Sequence, residues 1–156
     1  MPRLFYAFVI AAGLAALALA NGWWSLSSNA QTGPATIRIT NREISRLRVD
    51  TGKPGRGVGD TEIIRQNLFN KRIKSKPIGH ADYVCTFVTA GTRSCMATIF
   101  LPRGRLVAGG SIRFPQLHEL AILGGTRLYD DARGTLTVIR TTSRPRRDIL
   151  LFRLTG

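Results

Sequence analysis

The side chains able to do chemistry are few and loosely grouped. His80 and His118 are the two histidines, far apart in the chain and without a third ligand at metal spacing. Tyr83 can donate a hydrogen bond into a cavity or serve as a plain strand aromatic. Asp60 and Glu62 either line the mouth of a cavity or form a solvated rim, with Arg56 at hand as a partner. The densest grouping is "AILGGTRLYDDARG" at 121–134, with a glycine pair, Tyr129, the acids Asp130 and Asp131, and Arg127 and Arg133. Adjacent aspartates on an extended backbone point in opposite directions and make a poor general acid/base pair. Arg127 and Arg133 can pair with them across a turn, a solvent-screened contact worth at most about 1 kcal/mol. A phosphate cradle is excluded, because neither G-x-x-x-x-G-K-[ST] nor G-x-G-x-x-G is present and the pattern that follows is a strand. No serine sits in G-x-S-x-G, and no set of acid, base and nucleophile stands out. A metal site has little support, and no cofactor is expected.

These residues need a frame. From Thr36 onward the chain reads as short strands: "ATIRIT", "HADYVCTFV", "CMATIFLP", "RGRLVAGGSIRF", "LHELAIL", "GTLTVIR" and "DILLFRL". Turn signals recur roughly every eight to twelve residues with no long amphipathic helix between them, which predicts an antiparallel sandwich or barrel. "TEIIRQNLF" fits a strand or one short helix by pattern alone. A last strand pairing with the first would close a barrel and remove both exposed edges. Alternation puts Tyr83, Cys85 and Phe87 on one face with Cys95, Ala97 and Ile99. The other face then carries Asp82, Val84, Thr86, Met96, Thr98 and Phe100. Both faces are substantially apolar, so the outer one is expected to pack against something, most simply a second copy.

The start of the chain predicts export. Arg3 precedes the continuously apolar residues 4–20, and small-x-small patterns occur at 18–20 and 28–30. Residues 1–30 are expected to be a signal peptide, cleaved after Ala30 or Ala20, with residues 31–156 as the single domain. An N-terminal anchor flanked by Trp23 and Trp24 is the rival reading. In an oxidising compartment Cys85 and Cys95 suggest a disulfide. The turn signal at Ala90-Gly91 would set them opposite each other in a hairpin; two separate buried thiols are the alternative.

The formal charge is +14, of which the leader holds only Arg3. Such a balance favours anionic surfaces or acidic polysaccharide. The basic residues are scattered, apart from runs at 70–76 and 143–148. No aromatics interleave with them to stack bases, and nucleic acid is not an expected partner.

Four stretches in order carry a family likeness: "GVGD" at 57–60, "PIGHADYVCTF" at 77–87, "FLPRGRLVAGGSI" at 100–112 and "LAILGGTRLYDDARGTLTV" at 120–138. Together they resemble the allene oxide cyclase and dirigent barrel superfamily, in the form of small exported bacterial proteins. The last stretch is the strongest, resembling the family segment "aItGGTGxYxxArGxv". The resemblance implies an all-β, eight-stranded antiparallel closed β-barrel with an elongated, largely apolar cavity, commonly assembled as a trimer. It also implies that a hydrophobic small molecule binds inside and that its cyclisation or stereoselective coupling is steered by orientation. By the same resemblance Tyr129 with Asp130 or Arg133 forms one polar end of the cavity. Tyr83 and Asp60 complete the candidate pocket residues. Cys85 matches a family cysteine, but pairing with Cys95 would leave no free thiol there. The first strand, residues 36–40, lacks the glutamate of the cyclases, and Arg127 replaces a glycine. Allene oxide cyclase activity itself is therefore not expected. The rival function is a non-catalytic, envelope-associated structural protein whose basic surface binds acidic polymer, with a filled barrel.

Overall fold

The computed structural model describes residues 34–70, 76–114, 116–142 and 147–155. The predicted leader lies outside them, as does part of each basic run. The strands are β1 (Ala35–Val49), β2 (Thr61–Asn70), β3 (Gly79–Phe87), β4 (Arg93–Leu101), β5 (Gly104–Ile112), β6 (Leu117–Arg127), β7 (Arg133–Ile139) and β8 (Ile149–Thr155). Each pairs antiparallel with the next, and β8 returns to β1 from Ala35 opposite Leu154 to Thr40 opposite Ile149. The result is a closed eight-stranded antiparallel barrel in sequence order, so neither end strand presents a free edge.

Why these segments are strands follows from alternation. Ala81, Tyr83, Cys85 and Phe87 of β3 and Cys95, Ala97 and Ile99 of β4 are buried, while Val84 and Met96 between them are exposed. Cys85 stands directly opposite Cys95 and is bonded to it. The segment that local pattern left between helix and strand is β2. Pairing on both sides decides it, and Glu62, Ile64, Gln66 and Leu68 all turn inward.

The middle of the barrel is packed. Leu68, Ile99, Leu106, Leu120, Leu136, Leu150 and Phe152 are almost wholly removed from water, each contributing about 1.5–3 kcal/mol of hydrophobic stabilisation. The elongated apolar cavity implied by family likeness is thus replaced by side chains along much of the axis. A groove of about 250 Å³ lies at the β4–β5 turn of one end, and space of about 270 Å³ survives at the other.

One irregularity decides which residues reach that end. The β1–β2 register shifts between Glu43 and Ser45, leaving Ile44 as an extra, exposed residue. A one-residue bulge exchanges the two faces of a strand. Before it, Ile39 and Asn41 point inward; after it, Leu47 and Val49 are exposed and Arg46 reaches Glu62.

Candidate functional site

The two ends of the barrel differ. The closed end gathers the β4–β5 and β6–β7 turns. The open end gathers the β1–β2 loop, the β3–β4 turn and the residues following β5 and β7. At the open end a mouth of about 270 Å³ is lined by Arg46, Glu62, Phe87, Arg93, Ile112 and Arg140, among others. Beneath it, sharing Arg46, Arg93, Ile112 and Arg140, lies a chamber of about 30 Å³ that also touches Tyr83, Gln66, His118 and Asp148. Its size suits one water or one oxygen-bearing tip of a ligand.

Three wall residues continue inward apolar stripes. His118 precedes Leu120 and Ile122 on β6, Arg140 follows Leu136 and Val138 of β7, and Asp148 precedes Leu150 and Phe152 of β8. At the rim, Glu62 accepts hydrogen bonds from Arg46 Nη1 at 3.0 Å and from Arg93 Nη1. Arg46 also grips Glu43 through Nε at 3.0 Å and Nη2 at 2.7 Å. The floor is a polar ladder. Asn41 Nδ2 donates to Gln66 Oε1 at 2.7 Å and to Asp148 Oδ2 at 3.4 Å, and the Asp148 amide donates to Asn41 Oδ1 at 2.8 Å.

Three buried atoms here have no hydrogen-bond partner: His118 Nδ1, Arg140 Nε and Asp148 Oδ1. Arg140 Nε stands 3.8 Å from Asp148 Oδ1, an ion-pair contact too long to be a hydrogen bond. Burial, with Arg93 and Arg140 nearby, pulls the His118 pKa down to about 4, so its ring is neutral at pH 7. Burial, then the Asp148 charge, pushes the Tyr83 hydroxyl well above its ordinary value, so it stays protonated and can donate. Arg93 loses some affinity for its proton, first through burial, while Glu62 acts in the opposite sense. A neutral imidazole, a phenol donor and guanidiniums around one small space can hold an oxygen-bearing group, exchange a proton with it and stabilise negative charge on it.

The sequence-derived candidates divide between the two ends. Tyr83 lies in the chamber wall at the open end. Asp60 is nearby but fully buried and satisfied. It accepts from the Thr51 amide at 3.0 Å, the Gly57 amide at 2.8 Å and the Arg48 guanidinium, which hold its carboxyl far below the usual range and tie down the β1–β2 loop. Its ion-pair partner is Arg48 rather than Arg56, and it is no solvated rim. Tyr129, Asp130 and Arg133 lie at the closed end, away from the chamber. There Tyr129 is buried in the β6–β7 turn, its amide donating to Thr126 O at 3.2 Å and its carbonyl accepting from Ala132 at 3.1 Å. Asp130 is exposed, and neither it nor Asp131 forms an ion pair with Arg127 or Arg133 among the described residues. Arg127 and Asp131 hold φ of 60° and 58°, the left-handed conformation of a tight turn. Arg133 donates instead to Ala132 O at 3.0 Å.

Sequence reasoning missed Arg46, Arg93, Arg140 and Asp148, and set His118 aside as an unsupported metal ligand. Most were within reach: Arg93, His118, Arg140 and Asp148 all keep the phase of the buried residues beside them. Arg46 was not, because the bulge reverses its phase. Among the described residues no group of three His, Cys, Asp or Glu side chains is placed to hold a metal ion.

No known family profile and no curated protein matches this chain. Among solved structures it is similar to a pyocyanin demethylase, at 27% identity and a TM-score of 0.66, covering 78% of this chain and 100% of that one. It also superposes on a pterocarpan synthase dirigent protein at 16% identity and a TM-score of 0.62, covering 78% and 85%. A Diels–Alderase from Streptomyces koyangensis matches at 17% identity and a TM-score of 0.62, covering 90% and 79%.

Proposed function

Starting from a barrel of the dirigent and allene oxide cyclase-like superfamily, we propose that this protein binds a small molecule at its open end and steers that molecule's cyclisation or coupling. The observation that carries the reading is the set of three buried atoms without a hydrogen bond, His118 Nδ1, Arg140 Nε and Asp148 Oδ1, around one chamber beneath an open mouth. A buried polar group without a hydrogen bond costs about 1–3 kcal/mol; His118 Nδ1, and the Arg140–Asp148 ion pair that stops short of one, leave that deficit around one chamber, where an oxygen-bearing guest can relieve it. An oxygen-bearing tip entering the chamber meets Tyr83 as donor and His118 as proton acceptor. The apolar body rests in the mouth against Phe87 and Ile112. Arg140 and Arg93 favour negative charge that develops on the tip as the guest rearranges. The similar proteins named as a dirigent protein and a Diels–Alderase support the choice of reaction class.

Two further parts of the reading concern context. The disulfide and the apolar segment at residues 4–20 support action outside the cytoplasm. Outward-facing Leu47, Ile63, Val84 and Met96, register partners across four strands, support assembly with further copies.

Native mass spectrometry of the protein purified from its host tests the function. We expect an added mass of a few hundred daltons that is lost in Tyr83→Phe and His118→Ala. An unliganded mass, together with no thermal shift from phenolic or polyene compounds, would overturn the proposal.

A further inference from the structure

The charge at the open end is not balanced. Arg46 is spent on Glu43 and Glu62, and Arg93 on Glu62. Arg56 and Arg113, also in the mouth wall, make no ion pair with any described carboxylate. Each lies over an aromatic ring instead, Arg56 at 5.3 Å from the centre of Phe87 and Arg113 at 5.6 Å from Phe114. Arg140 faces Asp148 without a hydrogen bond from Nε. Three guanidiniums thus meet one carboxylate, and that carboxylate lies deep in the chamber.

Resting on the small-molecule reading above, we infer that the ligand of this mouth is an organic acid: a flat apolar body with one anionic group, held by Arg113 and Arg140. Charge-assisted hydrogen bonds from guanidinium to carboxylate or sulfonate are short and strong, and a low-dielectric wall strengthens them. Phe87 and Ile112 supply the apolar side of the mouth. At about 270 Å³ the mouth is slightly below the usual range of ligand pockets, which begins near ~300 Å³, so the body is small. Asp148 Oδ1, facing the chamber, calls for a donor there, so the anionic group sits at the rim and a hydroxyl or amine of the same molecule points inward. Burial first, and neighbouring arginines second, lower the pKa of His118, so its ring adds no positive charge to the chamber at pH 7.

Two fluorescent probes with the same aromatic body separate charge from shape. 1-Anilinonaphthalene-8-sulfonate is anionic, and N-phenyl-1-naphthylamine is its neutral counterpart. Titrated into the full-length protein, the sulfonate should bind about ten-fold more tightly or better, the equivalent of one charge-assisted contact. The advantage should shrink in 0.5 M salt and vanish in Arg113→Gln/Arg140→Gln. Arg113→Gln alone, on the exposed rim, should lose part of it with unchanged circular dichroism. Equal affinities would overturn the inference and leave the cavity reading standing. So would a sulfonate preference untouched by the double substitution, which would place the probe on the outer apolar stripe. No binding of either probe would overturn both.

Discussion

At the closed end the chain is held by backbone fitted against backbone; at the open end it is held by long charged side chains. A Cβ placed on Gly125 would stand 2.2 Å from Tyr129 O and 2.7 Å from Arg105 O, so the turn closes only with glycine there. On Gly91, in the β3–β4 turn at the mouth, a Cβ would meet nothing within 4 Å. At Gly125 the closed end has no room, although a groove of about 250 Å³ lies beside it, lined by Phe100, Pro102, Arg105 and Thr126. The open end keeps slack, unpartnered polar atoms and flexible guanidiniums, as a binding site requires. On the proposed reading, stability and function are separated along one axis, with the packed middle between them.

Substitutions can break that contrast. Gly125→Ala should cost about 3 kcal/mol, from overpacking against two carbonyls that cannot retreat, read as a lower midpoint in denaturant unfolding. A loss below about 1 kcal/mol would mean that the turn is softer than described. Next in size is the bridge. Removing the Cys85–Cys95 disulfide by a double Ala substitution should cost about 2–3 kcal/mol. Hydrogen exchange should then rise in the half of β3 and β4 nearest the mouth and stay unchanged at the β6–β7 turn.

Acid should act on the open end through His118, besides loosening the Arg65–Asp82 pair on the outer face of β2 and β3. Folding holds His118 near pKa 4 against an ordinary value of about 6.5, so its contribution to stability is full above about pH 6.5 and is lost as the pH falls toward 4. Allowing for partial exposure of the ring, the loss is about 1–2 kcal/mol. It should be absent in His118→Gln, so the two proteins' unfolding midpoints should converge as the pH is lowered. Parallel pH profiles would remove His118 from the chamber. The smallest effect belongs to Gly91→Ala, within about 0.5 kcal/mol of the parent by the same denaturant measurement.

Much of this was legible in the sequence because a barrel strand has a period of two. The alternation in "HADYVCTFV" and "CMATIFLP" names the inward residues of β3 and β4 and sets Cys85 opposite Cys95. The same rule, extended past the last apolar residue, reaches Arg93, His118, Arg140 and Asp148. The candidate site is thus half written in the phase of the strands, although no known motif spans it. "AILGGTRLYDDARG" concentrates charge and glycine, yet Gly125 serves a tight turn and Tyr129 is buried at the closed end.

The sequence by itself determined the all-β class and the phase of most strands and set Cys85 opposite Cys95, because each depends on neighbours two residues apart or on one short hairpin. Tertiary structure decided three other things: that the bulge at Ile44 turns Arg46 to the mouth, that Phe152 and its neighbours fill the middle, and that the unbalanced arginines gather at one end. These depend on the register between strands and on the volume enclosed when β8 meets β1, and no local window of sequence contains either quantity.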